Sequence, residues 1–172
     1  CDAVDRLADW ARRDADNGIP SLLLAGRARQ RGQADTVASY IEQAAAAPRF
    51  DDYWSQHSQR WWEYLRTFDV GVDSAAKAEA AAKYGSMNDL AWAQPLRMVC
   101  VEGSARPDRL RVACATLGQA MMTRGASFAL RRAGARVAEI NATDAAARSA
   151  AQGGGARILA MTARCTQLQP DF

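Results

Sequence analysis

Apolar residues recur at helical spacing along almost the whole chain, and each run is stopped by a glycine, a proline or an Asp/Asn cluster. A chain punctuated this way can bury its apolar stripes only by turning short helices back on one another. The expectation is an all-α fold of antiparallel helical hairpins, with no convincing strand and about nine helical segments. A chain of 172 residues is long enough for one domain with its own core, so residues 1–172 read as a single unit, with 1–85 and 86–172 as candidate sub-units.

The first segment carries Val4, Leu7, Ala8 and Ala11 and stops at Asp14-Ala15-Asp16-Asn17-Gly18. Pro20 suits the first turn of a second helix, Leu22 to Ala28 supply its apolar stripe, and Gly32 ends it before a third helix from Gln33 to Ala47. Pro48 closes that pair. Phe50 to Phe68 is the strongest periodic segment, with Phe50, Trp54, His57, Trp61, Tyr64 or Leu65, and Phe68 on one face, and is expected to be the spine of the core. Asp73 or Ser74 caps a helix from Ala75 to Tyr84 that Gly85 closes. A helix from Ser86 through Cys100 must kink at Pro95 or begin a second piece there. A turn at Gly103 to Pro107 precedes a hairpin of Asp108 to Thr123 and Phe128 to Ile140, broken at Gly125. Asn141 or Thr143 caps a weak helix to Gln152, Gly153-Gly154-Gly155 reads as a hinge, and Ile158 to Leu168 forms the last helix.

No apolar stretch approaches the roughly 18 residues that span a bilayer, and the N-terminus lacks a signal-peptide layout. A soluble chain with no transmembrane segment is expected. The net charge of +3 conceals an asymmetry: residues 1–104 hold twelve Lys/Arg against fifteen Asp/Glu, and residues 105–172 hold ten Arg against four acids. Such a field can attract an acidic protein, a nucleic acid or an anionic lipid, although scattered helical arginines are ordinarily a solvated face.

Leu24-Ala25, Ala28 and Gly32, followed by Val37, Ile41, Ala44 and Pro48, resemble the tetratricopeptide pattern of large and small residues on paired helices. Leu117-Gly118, Met121 and Gly125 restate its first half. The departures are Ser21 in place of the usual aromatic, Val37 in place of the usual alanine, and the segment after Pro48, which fits no repeat. The resemblance implies a degenerate, TPR-like helical repeat over roughly a third of the chain, used to bind another protein.

Cys100 and Cys114 flank the Gly103 to Pro107 turn, so antiparallel helices joined there would bring them to similar height for a disulfide. Cys1 and Cys165 could join the chain ends, and three pairings of the four cysteines stay open. Oxidised, the protein would belong to a periplasmic or secreted compartment. Cys1 also suits the lipid-modified first residue of a bacterial lipoprotein. No metal is expected, because the cysteine spacings are wide, no C-x-x-C pair occurs and His57 is the one histidine. No cofactor is expected either: no G-x-x-x-x-G-K-[ST] pattern accompanies the triple glycine.

His57 on an apolar face reads as a packed core residue. Trp61 and Trp62 point about 100° apart, so one of them faces outward, and Trp62 with Tyr53 is the candidate anchor for a partner. The leading expectation is a non-catalytic protein-binding domain of an oxidising compartment, of the kind represented by bacterial immunity proteins that neutralise a secreted toxin or effector. The alternatives are a hydrolase centred on His57 and a nucleic-acid-binding module that uses Arg131, Arg132 and Arg136 in the arginine-rich half, nucleic acid being the less favoured partner.

Overall fold

The computed structural model describes residues 3–68, 71–102 and 106–167, with side chains at all of these except 3–5, 84–90 and 165–167. Among the described residues the chain forms nine α-helices and no strand: α1 Ala3–Arg13, α2 Gly18–Gln30, α3 Ala34–Ala46, α4 Trp54–Leu65, α5 Ser74–Asp89, α6 Ala93–Cys100, α7 Asp108–Arg124, α8 Phe128–Ile140 and α9 Ala145–Gln167. A single 3-10 turn, Leu90–Trp92, precedes α6, so Pro95 lies in the first turn of a new helix, where its missing N–H costs no helical bond.

Helix α2 packs on α3, α3 on α7, α7 on α8 and α8 on α9, while α6 lies against α2 and α4 pairs with α5. Gly32, with φ of 71°, reverses the chain between α2 and α3. The core runs through Leu22, Ile41, Val99, Leu117, Met121, Leu130 and Val137, all within 2% of full burial. Close approach of α7 and α8 rests on two glycines. A Cβ on Gly118 would collide with the Ala138 amide nitrogen and stand 2.8 Å from the Gly134 carbonyl, and one on Gly134 would stand 2.7 Å from the Gly118 carbonyl.

Cys100 and Cys114 are joined by a disulfide and both are fully buried, tying the end of α6 to α7. Beside it the buried Asn141 donates to the Cys100 carbonyl at 2.9 Å and to that of Val137 at 2.8 Å. The candidate pair Cys1 and Cys165 and the lipid reading of Cys1 lie outside the described residues and side chains, as does most of the turn at 103–107.

Four expectations are corrected. Phe50 is not on the aromatic helix, which begins at Trp54 and has no fully buried residue, so α4 is a peripheral helix rather than the spine of the core. Gly85 does not close α5, which runs on to Asp89. The triple glycine is no hinge: α9 is continuous through it, because Gly154 packs against the Met122 side chain, whose Cε would lie 3.0 Å from an added Cβ. Its start is capped by Asp144, whose Oδ1 accepts from the Ala147 amide at 2.7 Å, not by Asn141 or Thr143.

Candidate binding groove

Six helix ends meet at one pole of the molecule: the C-termini of α1, α3 and α7 and the N-termini of α2, α4 and α8. Residues 49 and 50 are stitched between the other two connections there. The Gly18 amide donates to the Arg49 carbonyl at 2.9 Å, the Arg49 amide to Asp16 at 3.1 Å, and the Ala126 amide to the Phe50 carbonyl at 2.8 Å. Phe50 is fully buried, against Gly18 on one side and beneath the Arg124 guanidinium, 6.0 Å from its ring centre, on the other. Arg124 also donates to the carbonyls of Ala47 at 2.5 Å and Ala45 at 2.9 Å, satisfying the open end of α3.

Arg49 is the hub of the polar cluster. Its Nε donates to Asp16 at 3.0 Å, its Nη1 to Asp51 at 3.3 Å, and its Nη2 to Asp14 and to the Tyr53 hydroxyl. The hydrogen bond from Arg49 holds the exposed Asp16 carboxyl below its ordinary range, and the carboxylate in turn raises the Arg49 guanidinium. Asn17, 2% exposed, accepts from the amides of Ile19 and Asp51 and donates to Asp14 and to the Asp51 carbonyl. Tyr53 and Trp10 both direct their donors at Asp14, at 2.6 and 3.2 Å.

That cluster fixes Tyr53 in a left-handed conformation, φ of 59°, with its amide held by the Asp51 carboxylate at 2.8 Å. A tyrosine there costs roughly 1 kcal/mol and persists only where its surroundings over-determine it. The consequence is a sharp corner that launches α4 away from the stack. Between α4 and the stack opens a cavity of about 630 Å³, walled by Trp10, Ile19 and Leu23, by Asp52 and Tyr53, by Gln56, His57 and Arg60, and by Ala91 and Trp92. A second hollow of about 390 Å³ continues along α4 over His57, Arg60, Trp61 and Tyr64. His57 and Arg60 belong to both, so the two form one groove along α4. Aromatic edges extend it, Trp61 to Tyr64 at 5.9 Å and Tyr64 to Phe68 at 4.8 Å between ring centres. Its size falls in the range of ligand sites, about 300–1,000 Å³.

Of the residues singled out in the sequence, Tyr53 and His57 line this groove, and His57 is half-buried rather than packed in the core. Trp61 and Trp62 are both half-buried, but the groove takes Trp61, not Trp62. The three arginines do not make a common patch on α8. Arg131 donates to the Gly125 carbonyl at 2.7 Å, Arg136 pairs with Glu139 at 2.7 Å, and Arg132 is exposed between them. Elsewhere in the basic half Arg109 grips Glu42 at 2.7 Å and Arg111 pairs with Asp108 at 3.0 Å. Sequence reasoning missed Trp10, Arg49, Arg60 and Trp92. For Arg49 the available signal was a cation in a turn beside Pro48 with acidic turns before and after it.

No group of three His, Cys, Asp or Glu side chains that could hold a metal ion occurs among the described residues, and none of the described helices is long and apolar enough to cross a membrane. No protein family, no curated protein and no solved structure matches the chain.

Proposed function

We propose that the chain is a non-catalytic protein-binding domain of an oxidising compartment, and that the groove along α4 receives its partner. The observation that carries the reading is α4 itself: a helix with four aromatic residues, Trp54, Trp61, Trp62 and Tyr64, none of its positions fully buried, lining a pair of joined hollows. Soluble chains that expose contiguous aromatic surface ordinarily do so for a partner, and tryptophan, tyrosine and arginine dominate binding energies. The buried disulfide supports the compartment. A periplasmic immunity or inhibitor protein that occupies a secreted toxin one to one is the form of this reading we adopt, with α2–α3 and α7–α8 as degenerate tetratricopeptide-like units that hold the groove in place.

The test is stoichiometry. Immobilised protein should retain one partner in equimolar amount from extracts of its source, and Trp61→Ala combined with Tyr64→Ala should lower that retention at least about tenfold, the loss expected for one or two anchors of roughly 1–2 kcal/mol. Undiminished retention by the double variant rejects the groove. A hydrolase centred on His57 is the second reading, favoured by the place of the imidazole in the larger cavity with Asp52 and Tyr53; turnover abolished by His57→Ala in a folded protein would establish it.

A further inference from the structure

Resting on that groove, we infer that its occupant presents a carboxylate, an aspartate or glutamate side chain next to an apolar residue, and that Arg60 receives it. Arg49, Arg109, Arg111 and Arg136 already bond carboxylates, and Arg124 and Arg131 bond carbonyls. Arg60 makes no ion pair or hydrogen bond among the described residues, although it stands where the two hollows join. The carboxylate that shares its cavity is already engaged: Asp52 accepts from the Ser127 hydroxyl at 2.8 Å and from the Trp54 amide at 3.4 Å. Among the described residues the cavity therefore offers a guanidinium with no carboxylate or carbonyl bonded to it. Trp92, 4% exposed, lines the same cavity, and its indole N–H is buried with no acceptor among the described residues.

The rest of the wall is mostly apolar and aromatic, Trp10, Ile19, Leu23, Tyr53 and Ala91, with Gln56 and His57 as its further polar groups. Such a wall suits a large apolar side chain neighbouring the acid. The cluster behind Tyr53, in which three aspartates surround Arg49, carries a net charge of about −2. Its field opposes any anion, and a dianion more than a monoanion, so a carboxylate is disfavoured less than a phosphate group.

Two capped dipeptides, acetyl-Phe-Glu-amide and acetyl-Phe-Gln-amide, differ only in that charge. Titrated against the ¹⁵N-labelled protein, the glutamate peptide should shift the indole resonances of Trp10, Trp61 and Trp92 and bind about tenfold more tightly than the glutamine peptide, as charge-assisted hydrogen bonds require. Arg60→Gln should abolish the preference without changing the helix content, since the side chain is exposed on a peripheral helix. Equal affinity for the two peptides, absence of binding at millimolar concentration, or a preference that survives Arg60→Gln would overturn the carboxylate assignment. Tighter binding of acetyl-phosphotyrosine-amide than of the glutamate peptide would overturn it in favour of phosphate. If both peptides bind equally and Trp61→Ala weakens both, the groove stands and only the carboxylate falls. If binding shifts resonances outside the groove alone, the groove reading itself fails.

Discussion

Replacing Arg49 by methionine keeps the apolar stem and removes the guanidinium, so it isolates what the hub contributes. The cation and its partners are unequally exposed: the Arg49 side chain is 36% accessible, Asp14 12%, Asp51 21% and Asp16 58%. The Asp16 pair is close to a surface ion pair and contributes little. Asp14 and Asp51 would be left without their cation in a half-buried corner, and an orphaned charge in a dry interior costs about 3–5 kcal/mol. Partial exposure reduces this to about 2 kcal/mol, which for a chain of this size lowers Tm by roughly 4–8 °C. The Asp16 carboxyl is held below its ordinary value of 3.8, so its share of stability is complete above that value and disappears as pH falls through the depressed one. The small Asp16 part of the difference between wild type and Arg49→Met should therefore be present at neutral pH and fade below about pH 4. Thermal melts followed by circular dichroism between pH 7 and pH 3 measure both features. A Tm within about 1 °C of wild type at neutral pH, or a gap that widens on acidification, would refute the role of Arg49 as hub.

Other perturbations follow from packing. Gly153, in the interior of α9 with no atom within 4 Å of an added Cβ, should accept alanine with a gain of about 0.5–1 kcal/mol in urea unfolding. Gly118→Ala should instead cost more than about 2 kcal/mol, because its Cβ meets the α8 backbone, and equal effects at the two sites would contradict the close packing of α7 on α8. The disulfide closes a loop of sequence separation 14, so Cys100→Ala with Cys114→Ala should lose about 3 kcal/mol. Because both sulfurs are buried, dithiothreitol should reduce the bond only together with unfolding, which intact-mass sampling during a urea series would show.

The hairpins were legible because their punctuation is local. Gly32 and Pro48 end α2 and α3 within a residue or two of the expected places, Gly125 separates α7 from α8, and Asp73 caps α5, its Oδ1 accepting from the Ala76 amide at 2.7 Å. Glycine within a helix was illegible, because the same residue that ends one helix lets another approach a neighbour: Gly154 against Met122 cannot be told from a break without the partner helix in view. The periodicity of α4 was real but ambiguous, since an aromatic stripe has the same spacing whether it faces a core or a groove. The polar pole lay beyond sequence reasoning for a different reason. Arg49 finds Asp14 at a separation of 35 residues and Arg124 finds Ala47 at 77, distances that no local pattern encodes.

The same pole explains why a groove exists at all. Asn17, Asp51 and Asp14 hold Tyr53 in its left-handed corner, the corner swings α4 off the stack, and the gap so made is the larger cavity. The most direct test of this account is photo-crosslinking in the source cells with p-benzoylphenylalanine in place of Tyr64 in the groove, compared with the same residue in place of Val112, exposed on α7 outside it. The account predicts one discrete heavier adduct, a single partner protein, from position 64 and none from position 112. The absence of an adduct at position 64, or the same adducts from both positions, would contradict it.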